Sequence, residues 1–73
     1  MRFPSLKPKE VIKALKRANY YVDHQTGSHI TLLKDLAKSR VVVPFHSKDL
    51  KKGTLHGIIK QSGLTEEEFI NLL

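Results

Sequence analysis

The sequence predicts an α+β fold in the order helix, three-stranded antiparallel sheet, helix, and three observations carry that prediction. Val11, Ile12, Ala14, Leu15 and Ala18 recur at helical spacing near the start of the chain. Three short runs rich in β-branched and aromatic residues follow between Tyr20 and Phe45. The links between those runs are short and polar, which makes neighbouring strands antiparallel.

The first helix is expected from Pro8 to about Ala18, because proline fits the first helical position, where its missing N–H costs nothing. Its apolar residues fall on one side at roughly 100° per residue. Lys9, Lys13, Lys16 and, at the edge, Arg17 fall on the other, giving a basic row one helix long. The first strand is Tyr20–His24, ending at the turn Gln25-Thr26-Gly27-Ser28, where Gly27 supplies a positive φ. His29–Lys34 is the second strand and Arg40–Phe45 the third, with Asp35–Ser39 as the link. A second helix opens near Gly53-Thr54, buries Leu55, Ile58 and Ile59, and stops at Gly63. Thr65-Glu66-Glu67-Glu68 is a capping-box pattern that starts a last short turn of helix carrying Phe69 and Leu72.

Seventy-three residues make one domain, 1–73, without repeat or linker. A chain this short buries only about 60% of the surface it exposes when unfolded. It has no cysteine, so no disulfide framework or thiolate zinc site, and its four histidines fit no zinc spacing. No metal or other cofactor is expected. Arg2, Lys7, Lys9 and Lys13 interrupt every early apolar run, and nothing approaches the ~18 apolar residues of a membrane span. The expectation is a soluble cytoplasmic protein.

Thirteen Lys and Arg against seven Asp and Glu give a net charge of +6. All thirteen basic residues lie in 1–60, which carries +9, while 61–73 carries −3 from Glu66, Glu67 and Glu68. A basic body favours a polyanionic partner, either nucleic acid or an acidic protein. The bland alternative is that the charge only keeps a small protein soluble.

If the second hairpin centres on Asp35–Ser39, paired residue numbers sum to about 75 and His29 lies opposite His46, on one face of the sheet. The Gly27-Ser28 turn sits at the same end and offers backbone N–H groups to an anion. Imidazole trades protons near neutral pH, and RNA brings its own nucleophile in the 2′-hydroxyl. A metal-free ribonuclease therefore needs a base, an acid for the 5′-oxygen, and cations for the phosphorane. His29, on a basic exposed turn, suits that chemistry; its ordinary alternative is a strand residue with no role. His24 and His56 read as surface residues.

These residues also carry a family signature. Gly27-Ser28-His29, followed by Ile30–Leu33, resembles the glycine–serine–histidine motif of the HicA toxins, ribonucleases of bacterial and archaeal toxin–antitoxin pairs. Val43-Pro44-Phe45-His46 is similar to that family's proline–x–histidine element. Lys52-Gly53-Thr54-Leu55, running into Ile58–Leu64, resembles its closing helix. The three elements occur in the family's order, from about Lys9 to Phe69. The resemblance implies a fold like the double-stranded-RNA-binding domain, a metal-independent endoribonuclease that cuts mRNA, and His29 as catalytic histidine. It also implies a HicB-type antitoxin covering the active face. Gly27, Ser28 and His46 are accessory candidates at that end, His46 as acid partner or structural residue. Lys9, Lys13 and Lys16, with Lys34 or Arg40 from the sheet, are the candidates for holding RNA. Two positions depart from the pattern: His56-Gly57 where many relatives have Arg-Ser, and Asp23-His24 where more basic character is expected.

Two rival functions use the same composition. A non-catalytic RNA-binding module would grip A-form RNA by shape and have no need of imidazole at the turn. A helix-turn-helix DNA binder would use 58–65 and the helix after it, yet that helix begins with three glutamates and meets phosphate with like charge.

Overall fold

In the computed structural model, which describes residues 5–35, 39–46 and 48–73, the elements run α1 (Pro8–Arg17), β1 (Tyr21–Thr26), β2 (His29–Lys34), β3 (Ser39–Pro44), α2 (Lys52–Ser62) and α3 (Glu66–Asn71). The strands form one antiparallel sheet in the order β1-β2-β3. This is the α+β arrangement predicted from sequence, of the double-stranded-RNA-binding-domain type.

Local chemistry explains most boundaries. Pro8 opens α1, and the Glu10 carboxylate accepts the Lys7 N–H at 3.0 Å. Asn19, at φ 73°, turns the chain left-handed just past α1, a conformation asparagine tolerates. Gly63 ends α2 at φ 78°, as expected of a glycine stop. Thr65 caps α3 reciprocally: its Oγ1 accepts the Glu68 N–H at 3.0 Å, and the Glu68 carboxylate accepts the Thr65 N–H at 2.9 Å.

The core lies between the helices and one face of the sheet. Ile30 and Leu32 of β2 and Val41 and Val43 of β3 are buried there. So are Val11, Ile12 and Leu15 of α1, Leu55, Ile58 and Ile59 of α2, and Phe69 of α3. Each fully buried aliphatic or aromatic side chain contributes about 1.5–3 kcal/mol relative to exposure. Tyr20 is buried as well, with its hydroxyl donating to the Ser62 carbonyl at 3.0 Å, which fastens the entry to β1 against the end of α2. The helices pack chiefly on β3, so β1 is exposed along its whole length.

Three expectations are corrected. β1 runs to Thr26, not His24, because the hairpin turn takes only Gly27 and Ser28 and leaves Gln25 and Thr26 in the ladder. β3 runs Ser39–Pro44, one residue earlier at each end than predicted, since Ser39 pairs with Lys34. Paired numbers in that ladder therefore sum to 73 (Lys34 with Ser39, His29 with Pro44), so His29 lies opposite Pro44 and not His46. Residues 36–38 of the expected link lie outside the described residues.

Candidate functional site

The site begins with the β1–β2 turn. Thr26 pairs with His29 across a two-residue loop whose first residue, Gly27, has φ 58°. Tight hairpins with that requirement take glycine first, since a Cβ there meets its own backbone. Gln25 Nε2 donates to the Gly27 carbonyl at 3.0 Å, and the Phe45 N–H donates to the Ser28 carbonyl, so the turn is braced from both sides.

His29 is the first residue of β2 and is exposed. Alternation along the strand aims Ile30 at the helices and His29 away from them, onto the open face. Pairing fixes what shares that face: Thr26, His24 and Tyr21 from β1, Thr31 and Leu33 from β2, and Pro44, Val42 and Arg40 from β3. The His29 imidazole has no hydrogen-bond or ion-pair partner among the described residues.

His24 reaches this face through an irregularity. The register of β1 against β2 shifts by one residue between Val22, opposite Leu32, and His24, opposite Thr31. Asp23 is the extra residue, a bulge that flips the alternation. Without it, His24 would fall on the helix face with Val22. The Asp23 carboxylate lies 2.7 Å from His24 Nδ1, and both side chains are about half exposed. Sequence reasoning read His24 as a surface residue, and it is exposed; the bulge that sets its face carries no clear signal in the sequence.

The basic candidates separate into three places. Lys9, Lys13 and Lys16 line an open groove whose apolar floor includes Val22, Ile30 and Phe45, on the helix side of the sheet. That groove reaches the same end of the sheet as His29, because Ile30 follows His29 and Phe45 is bonded to Ser28. Arg17 leaves the row: its guanidinium donates to the Leu72 carbonyl at 2.7 Å and ties α1 to the end of α3. Lys34 and Arg40 lie at the opposite end of the strands, roughly 13–17 Å from His29 along β2. Lys34 sits over the Tyr20 ring, 5.6 Å from its centre, while Arg40 shares the open face.

His46 lies beyond the end of β3, exposed, in one hollow with Lys7 and Lys9 and another with Lys48 and Lys51. The sheet thus does not bring His46 into register with His29. His56 is 3.3 Å from Glu66, linking α2 to α3. Glu68 is spent on its own helix: the Thr65 backbone N–H, then the Thr65 hydroxyl, holds its carboxyl below the ordinary 4.5, with Lys34 adding to the shift. The would-be recognition helix of a DNA binder is therefore a six-residue, acidic element.

A family model described as "HicA toxin of bacterial toxin-antitoxin" matches residues 8–64, from the first residue of α1 through the sheet to just past α2. The chain belongs to the HicA toxin family. Membership makes it the toxin side of a toxin–antitoxin system and implies a cognate antitoxin. The match includes the Gly27-Ser28-His29 turn and leaves out α3. No curated protein matches the chain. Among the described residues no helix is long and apolar enough to cross a membrane, and no cluster of three or more His, Asp or Glu could hold a metal ion.

Proposed function

We propose that this toxin is a metal-independent endoribonuclease that binds and cuts mRNA, with His29 as its catalytic histidine. The observation that carries the reading is the setting of His29: an exposed imidazole with no partner among the described residues, fixed at a sheet end by a braced glycine turn. An imidazole so placed is free to exchange a proton with an RNA 2′-hydroxyl or 5′-oxygen. The backbone of the RNA is held by Lys9, Lys13 and Lys16 on the helix side of the same end, and further along the strand by Arg40. Lys34, turned toward Tyr20 and Glu68, contributes less. Gly27 and Ser28 shape the turn, and His46 serves the cationic rim rather than the reacting atoms.

A HicB-type antitoxin covers the His29 end of the sheet in this reading, and an acidic one complements the +9 of residues 1–60. The toxin acts in the cytoplasm, where mRNA is. The test is induced expression of the wild type beside His29→Ala, scoring growth and the integrity of total mRNA. Arrest with degraded message for the wild type alone is expected. Harmless wild-type protein that still binds RNA would make this a binding module, and equal toxicity of both would place the chemistry elsewhere.

A further inference from the structure

We propose that His24, held by Asp23, is the second proton-transfer group of the cleavage site, the general base that works with His29 as general acid. The proposal rests on the ribonuclease reading above and adds a residue to it. Its basis is the bulge at Asp23, which puts His24 and His29 on one open face of the sheet. His24 is opposite Thr31, two residues from His29 on the same strand, so the two histidines are diagonal neighbours. Diagonal positions lie about 7–8 Å apart, within reach of aromatic side chains. Each imidazole must come within about 2.6–3.2 Å of its own oxygen, and a phosphodiester between them presents the 2′- and 5′-oxygens on opposite sides of phosphorus.

The roles follow from hydrogen-bond inventory. An ionised carboxylate only accepts, so Asp23 at 2.7 Å places the proton on His24 Nδ1. In the neutral ring Nε2 is then the free acceptor, which is the arrangement of a base oriented by a carboxylate. His24 Nε2 takes the 2′-hydroxyl proton, the 2′-oxygen bonds to phosphorus and the bond to the 5′-oxygen breaks. His29 gives its proton to the departing 5′-oxygen. A 2′,3′-cyclic phosphate and a 5′-hydroxyl leave, and solvent returns the two imidazoles to their starting states. Among the described residues, the charged or titratable groups on this face or in contact with His24 are Asp23 and Tyr21 from β1, His29 from β2 and Arg40 from β3, and the helices lie on the other face. Asp23 acts through His24 and is a positioning residue.

The experiment uses the full chain, a short RNA, and the same RNA with sulfur in place of the bridging 5′-oxygen at the cut site. Sulfur leaves without a proton, so it bypasses a missing acid but not a missing base. His24→Ala and His29→Ala, both at exposed positions and checked for unchanged melting, are each expected to lose about 10²–10⁴-fold on ordinary RNA. The sulfur substrate restores His29→Ala and leaves His24→Ala impaired. The pH profile of kcat/KM is a bell for the wild type; His24→Ala removes the acidic limb and His29→Ala the alkaline limb. Asp23→Asn lowers kcat by up to about 10²-fold with KM unchanged. If His24→Ala cuts ordinary RNA at the wild-type rate while His29→Ala is dead, the ribonuclease reading stands and this proposal falls. Rescue of His24→Ala by sulfur reverses the roles and overturns the assignment. A wild type that cuts no RNA overturns both readings.

Discussion

The two faces of the sheet are made from the same three strands and could hardly differ more. On the helix face, Ile30, Leu32, Val41 and Val43 are closed under α1 and α2, at most 8% exposed. On the open face, His24, His29 and Arg40 stand in solvent, and Tyr21 is 47% exposed. Among the described residues of that face only Thr31 is buried, flanked across the ladder by His24 and Val42. Alternation with a period of two sorts the residues, so one face holds the fold together and the other is free to carry chemistry. Substitutions on the two faces are therefore expected to differ sharply in what they do to stability.

Unfolding free energy measures that difference. The largest effect is expected from Leu32→Ala, which empties a fully buried position in the central strand and costs about 2–5 kcal/mol. Total stabilities run about 0.05–0.15 kcal/mol per residue, so that loss takes a large share of what a 73-residue chain has. Denaturant titration followed by circular dichroism reads it directly. Gly27→Ala comes next, at about 1–2 kcal/mol, through local backbone strain: at φ 58° an added Cβ crowds its own backbone, although no atom from elsewhere in the fold lies near it. Thr65→Ala removes the cap of α3 and is worth about 1 kcal/mol in the same titration.

The cap also has a pH signature. Glu68 titrates below its ordinary 4.5 in the folded chain, so its contribution is present above that value and is lost as pH falls through the lower, folded one. The melting-temperature gap between wild type and Glu68→Gln should be open at neutral pH and close in acid below 4.5. A gap that widens in acid would contradict this. The smallest effect on stability belongs to the open face: His29→Ala should stay within about 0.5 kcal/mol of the wild type.

What the sequence made legible was local. Helix α1, the glycine turn at Gly27, the stop at Gly63 and the Thr65–Glu68 box each depend on a few adjacent residues, and each stands where the pattern placed it. Strand register depends instead on where a connection closes, and a difference of two in the paired sum moved His46 out of the ladder. The bulge at Asp23 is a single extra residue with no marking glycine, so the face on which His24 lies was hidden. Arg17 was read at the edge of the basic row and Lys34 among the candidates for holding RNA because composition shows charge, not aim; one is bound to Leu72 and the other lies over Tyr20. The position of His29 at the start of β2 was legible, since Gly27-Ser28-His29 ties the residue to a turn that glycine makes easy.

The most direct test of the central claim is cleavage of a defined RNA by the purified chain in excess EDTA, wild type against His29→Ala, with melting curves on the same samples. The account predicts cutting by the wild type, none by the variant, and superimposable melting. Equal cutting by both proteins, or wild-type cutting that EDTA abolishes, would contradict it.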